Sequence, residues 1–145
     1  MYRNGWNGEV ELMKALYCGI FLDKRSVDKL TAEQTHTLAR LIPNMHCTFA
    51  FMPSSDVEEA FRNIIGKPVS LLITGYGSDE NNSGFSVAIP NEYLHLYHGN
   101  RTPHITVSLS ENGKAVNTTN LPFENISPFY VNGTFGICYD CGVER

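Results

Sequence analysis

Two triplets in this chain carry the residue types that proton transfer needs: His46-Cys47-Thr48 and His104-Ile105-Thr106. An imidazole titrates near neutrality, so a pair can hold one neutral and one protonated member at once. Such a pair can take a proton from an attacking oxygen and give one to a leaving oxygen, as cleavage of a phosphodiester near pH 7 requires. A hydroxyl two residues along from each imidazole can donate a hydrogen bond to a non-bridging phosphate oxygen as charge develops there. The scheme runs on His46, Thr48, His104 and Thr106 alone, so neither a metal nor a cofactor is expected. Five histidines and ten threonines in 145 residues would give roughly one-third of an H-x-T in random order. Two occur, both in the same register on apolar stretches.

That register points to strands over 44–51 and 103–109. Side chains alternate along a strand, so His46 and Thr48 share one face while Cys47, Phe49 and Phe51 take the other. His104, Thr106 and Ser108 likewise oppose Ile105, Val107 and Leu109. Each strand pairs an apolar side suited to burial with a side carrying an imidazole and a hydroxyl. The two chemical faces are expected to meet in one groove.

Other elements must hold that groove. Residues 15–22 alternate as a strand, with Leu16, Cys18, Ile20 and Leu22 on one face and Tyr17, Gly19 and Phe21 on the other. A glycine between two aromatics leaves room for a flat ligand, so Tyr17 and Phe21, with Tyr76 and the solitary Trp6, are the expected substrate-binding aromatics. Apolar spacing predicts a helix over 26–41, stopped by Pro43. Ser54 followed by Asp56, Glu58 and Glu59 predicts a second helix ending at Gly66. Strands over 69–76 and 85–89 flank a turn-rich loop at 75–84, and a short helix is expected within 91–99. The tail, 111–145, holds a loop and one or two strands near 129–131 and 134–139. Residues 1–14 read as an N-terminal arm lying over the groove. His36, His95, His98, Lys67, Arg101 and Lys114 read as solvated.

Apolar residues make up 42 % and charged residues 18 % of the chain, the balance of one folded domain rather than a disordered segment. A net charge of −4 and a pI near 5.7 argue against binding long nucleic acid, which needs clustered Lys and Arg. A small nucleotide in a local pocket remains compatible. No basic-then-apolar leader and no apolar run near a membrane span's length is present, so the expectation is a cytoplasmic protein with no membrane partner. Cys18 and Cys47 read as small core residues, and the lone Cys138-x-x-Cys141 is a weak zinc signal.

The two H-x-T triplets resemble the paired signature motifs of the two-histidine (2H) phosphoesterase superfamily, and the order of strands and helices agrees over 15–139. The resemblance implies an α+β, bilobal fold, with a mainly antiparallel sheet lining a central cleft and helices outside. It also implies metal-independent chemistry on 2′,3′-cyclic phosphates or on bonds beside a 2′-oxygen. Members include RNA-end cyclic phosphodiesterases, 2′-5′ RNA ligase-like proteins, oligoadenylate-cleaving enzymes and phage anti-CBASS nucleases that degrade cyclic oligonucleotide signals. Small size, acidic charge and an aromatic groove fit a cyclic di- or trinucleotide better than a long RNA, and a viral member would work in the host cytoplasm. Two alternatives stay open: a 2′,3′-cyclic or 2′-5′ phosphodiesterase acting on RNA ends, and a non-catalytic sponge that only sequesters a nucleotide.

Overall fold

Period-two alternation of apolar residues builds the sheet of this protein, seen in a computed structural model that describes residues 2–4, 10–12, 14–99, 101–140 and 142–145. The strands are β1 (Tyr2–Asn4), β2 (Val10–Leu12), β3 (Ala15–Leu22), β4 (Arg40–Leu41), β5 (His46–Phe51), β6 (Pro68–Ser78), β7 (Asn82–Ala88), β8 (His104–Leu109), β9 (Glu124–Tyr139) and β10 (Gly142–Glu144). The helices are α1 (Lys24–Glu33) and α2 (Ser55–Arg62). β1 and β2 pair as a separate two-stranded sheet. The remaining strands form one sheet in the order β10-β9-β3-β5-β8-β7-β6, with β4 added to β8. All these pairings are antiparallel.

β9 is the strand that closes the sheet. Its later residues pair with β3 and its earlier ones with β6, so six strands form a closed barrel. The α+β class and the mainly antiparallel sheet expected from the sequence are both present.

The residues that alternate with the motif positions form the core. Cys47, Phe49, Ile105 and Val107 are buried there together with Cys18, Ile20, Phe135 and Ile137. Both helices cap this core. Leu30 of α1 and Phe61 of α2 are fully buried, and Phe61 meets Phe49 and Phe135 edge-on at 6.0 and 5.9 Å. Each such phenyl ring contributes about 2–3 kcal/mol by leaving water.

Several boundaries differ from the sequence expectation. The helix predicted over 26–41 stops at Glu33. Gln34 caps it and turns inward, where its Oε1 accepts hydrogen bonds from Ser108 and Ser83 at 2.9 and 3.2 Å. Leu38 N then donates to Ser108 Oγ and Ile42 N to the Val107 carbonyl, so β8 captures the segment as β4. The expected 75–84 loop is shorter, because β6 and β7 run into it and leave a turn held by Asp79 Oδ1 on the amides of Asn81 and Asn82. The short helix is a 3-10 turn at Asn91–Leu96, and the tail strands are one continuous β9. Among the described residues no helix is long and apolar enough to cross a membrane.

Candidate active site

The two H-x-T strands lie side by side, and Cys47 pairs with Ile105. In an antiparallel ladder that register sets His46 opposite Thr106 and Thr48 opposite His104. The same arrangement repeats one strand further out on each side. On β3, Gly19 pairs with Thr48 and Phe21 with His46. On β7, Gly84 pairs with Thr106 and Ser86 with His104. Both outer ladders shift register at the glycine. A Cβ on Gly19 would overlap the Cys47 carbonyl oxygen, and one on Gly84 would sit 2.7 Å from the Ile105 carbonyl oxygen. Each glycine therefore lets an outer strand press against a motif strand at a bulge, a device common beside active sites.

Each imidazole is anchored in the same way. His46 Nδ1 lies 2.7 Å from the carbonyl oxygen of Asn44, and His104 Nδ1 lies 2.9 Å from that of Thr102. A carbonyl only accepts, so each Nδ1 carries the proton and each Nε2 is left as the exchanging nitrogen. Burial lowers the pKa of both histidines from the ordinary 6.5, against a smaller raising effect of the carbonyl bonds. His104 lowers that of His46 further. The surroundings of the two rings differ. The His46 ring stacks on Tyr17 at 4.5 Å and 21° and lies 5.4 Å from Phe21, whereas the cross-strand neighbour of His104 is Ser86, whose hydroxyl lies 3.0 Å from Thr74 Oγ1. Cys47 is no competing nucleophile: it is fully buried, and burial pushes its thiol up to about 12.

The threonines also differ. Thr48 makes no side-chain hydrogen bond to another described residue and lines the cleft. Thr106 is buried and donates to Thr118 Oγ1 at 2.8 Å, with the Ala115 carbonyl at 3.3 Å. Thr118, itself fully buried, also accepts from Asn82 Nδ2 at 2.9 Å. Asn82 in turn donates to the Lys114 carbonyl, which ties the 3-10 turn Ala115–Asn120 to the site.

His46, Thr48, His104 and Thr106 all line one cleft of about 530 Å³, within the roughly 300–1,000 Å³ of small-molecule sites. Of the expected substrate-binding aromatics, Tyr17 lines it. Phe21 does not. It is 1 % exposed, and its ring packs 5.9 Å from Tyr17 and 5.4 Å from His46, so the space expected for a flat ligand is closed by a cluster of three rings. Tyr76 is also elsewhere, since its hydroxyl bonds Ser83 Oγ at 2.6 Å and its ring packs on Phe85. Trp6 lies outside the described residues, and of the arm expected over 1–14, Tyr2–Asn4 and Val10–Leu12 pair as the separate β1–β2 sheet.

The cleft also takes in residues that strand alternation did not select. Phe51, 75 % exposed, and Val116, also exposed, stand at its edge, with Tyr97, His98 and Arg101 along one wall. Phe51 pairs with Tyr17 across the β3 bulge, a register that alternation within β5 cannot reveal. Arg101 had one visible signal, its position three residues before His104. Among the described residues no group of three or more His, Cys, Asp or Glu side chains is placed to hold a metal, and Cys141 lies outside them. Compared with known proteins, the sequence matches no family model and no curated protein.

Proposed function

We propose that this chain is a phosphodiesterase that cleaves a small cyclic nucleotide, with His46 as general base and His104 as general acid. The observation that carries the reading is the matched anchoring of two imidazoles, each held through Nδ1 on a carbonyl two residues back, on one cleft. His46 Nε2 takes the proton of the attacking oxygen, a ribose hydroxyl or water, as a new P–O bond forms. His104 gives its Nε2 proton to the departing oxygen as the ester P–O bond breaks. Thr48 donates to a non-bridging oxygen on which charge accumulates. The direction of proton flow follows from the surroundings: burial, and then the charge of a protonated His104, both disfavour a cation on His46. The repeated register also supports reading the barrel as two lobes, β3–β5 and β8–β7, related about the contact of Cys47 with Ile105. Such a two-lobed reading agrees with the bilobal arrangement the 2H resemblance implies.

A cyclic di- or trinucleotide is the favoured substrate on charge and size. The test is turnover with excess ligand across cyclic dinucleotides, cyclic trinucleotides, 2′-5′ oligoadenylates and 2′,3′-cyclic mononucleotides. Product beyond one equivalent, lost in His46→Ala and His104→Ala, is expected. Intact ligand held at one equivalent would instead assign a sequestering role. Cleavage confined to 2′,3′-cyclic or 2′-5′ substrates would move the activity to RNA ends.

A further inference from the structure

Arg101 is a cation on the cleft wall whose side-chain partner among the described residues is neutral. Its Nη1 donates to Asn120 Oδ1 at 2.7 Å, and no carboxylate lies within ion-pair distance among the described residues. The cleft lining contains His46, His98, Arg101 and His104 and no Asp or Glu, although the whole chain is acidic at −4. The arginine is also held in place from behind. Tyr97 Oη donates to the Arg101 carbonyl at 3.3 Å, and Thr119 Oγ1 donates to the Thr102 carbonyl at 3.0 Å. The bonds from Thr119 and to Asn120 tie the loop ahead of His104 to the Ala115–Asn120 turn, so Arg101 lines the cleft from a braced wall. An arginine fixed by an amide keeps both its charge and its remaining N–H donors for an anion, and a planar fork suits phosphate.

A cleft of about 530 Å³ is far larger than one phosphate group needs, and the reacting phosphate already has Thr48 and the two imidazoles. We propose that Arg101 forms a second phosphate subsite, so the cleft selects substrates carrying a second phosphate beyond the scissile one. This rests on the phosphodiesterase reading for its kinetic arm only. Asn120 is the positioning residue: it orients the guanidinium without neutralising it.

The test compares 3′,3′-cyclic GMP–AMP, with two phosphates, and adenosine 2′,3′-cyclic phosphate, with one. Arg101→Gln should lower the ratio of kcat/KM for the first over the second by about tenfold to a hundredfold, the worth of one charge-assisted contact. The change should enter through KM. Asn120→Asp, nearly isosteric, supplies a carboxylate that pairs with Arg101 and should lower the same ratio with the arginine still in place. An unchanged ratio in both variants overturns the subsite. Equal loss of kcat on both substrates would put Arg101 on the reacting phosphate and overturn it too. A binding arm separates the two readings: the Kd of cyclic GMP–AMP, measured in a His104→Ala background, should rise in the same proportion with Arg101→Gln. Arg101-dependent binding without turnover by the parent chain would sink the enzyme reading and leave the subsite standing. Turnover with an Arg101-independent Kd would do the reverse.

Discussion

Cys47 and Ile105, the middle residues of the two triplets, face each other across the β5–β8 pairing. Because the strands are antiparallel, this one contact sets each histidine opposite the other motif's threonine. His46→Ala and His104→Ala are therefore expected to lower kcat by about 10²- to 10⁴-fold each, the usual worth of a general acid or base. Combining them should cost much less than the product, because they serve one transition state. Uridine 3′-(4-nitrophenyl phosphate) separates the roles, since its leaving group departs without a proton. On that substrate His104→Ala should recover most of its lost rate, and His46→Ala should not. Recovery by His46→Ala alone would reverse the assignment.

The threonines divide rate from stability. Thr48 has no described side-chain partner to lose, so Thr48→Val should cost about 10²-fold in kcat with a melting temperature close to the parent's. Thr106 donates to the buried Thr118, so Thr106→Val gives up an internal hydrogen bond worth about 1–3 kcal/mol. In a domain of this size that is a fall of roughly 2–4 °C in Tm per kcal/mol. Paired thermal melts and steady-state kinetics check both variants. Equal Tm losses would show that the two hydroxyls are equivalent after all.

The depressed histidines fix the sign of two pH effects. Productive free enzyme needs neutral His46 and protonated His104, and both pKa values lie below 6.5. The kcat/KM optimum is then expected on the acid side of 6.5. The kcat profile should move to higher pH, because bound phosphate favours an imidazolium. Stability follows from the same shifts. Unfolded imidazoles titrate near 6.5 and take up protons before the folded ones do, so the favourable contribution is complete above 6.5. It is lost as pH falls through the folded values. Melts between pH 8 and 5 should show Tm falling on acidification, with a shallower slope once both histidines are replaced by alanine. A Tm that rises on acidification would contradict the buried, neutral state of the pair.

Much of this site was legible in the sequence because a strand's period of two fixes which residues share a face. His46, Thr48, His104 and Thr106 do line one cleft, and the residues between them are core. Pairing is the part that period does not encode. Alternation on their own strands turns Phe21 and Tyr76 toward the ligand, yet cross-strand neighbours decide their surroundings: Phe21 packs against the His46 ring and Tyr76 bonds Ser83. The helix over 26–41 was lost to a competing partner, since Ser108 and Val107 take the backbone amides of Leu38 and Ile42. Thr118 and Asn120 sit in a polar stretch with no apolar period to read, and only the folded chain brings them to Thr106 and Arg101.

Gly19 tests whether the bulges hold the site together. Its missing side chain lets β3 close on β5 at the Cys47 carbonyl, and the obstacle is backbone, which no rotamer change can move. Gly19→Ala must push the strands apart where Tyr17, Phe21 and His46 pack as a three-ring cluster. Overpacking of this kind costs about 1–3 kcal/mol or more, and the displaced ring should lower kcat beyond what lost stability explains. Gly84→Ala is the matched experiment on β7. There the Cβ also meets Thr118 Cγ2, at 2.5 Å, so the strain is passed to the partner of Thr106. Activity measured well below each variant's Tm isolates the geometric effect. Both variants are expected to lose rate there, Gly19→Ala through His46 and Gly84→Ala through the Ala115–Asn120 turn, which lines the cleft beside Thr118. Full activity in either folded variant would show that the bulge on that side is dispensable for the chemistry.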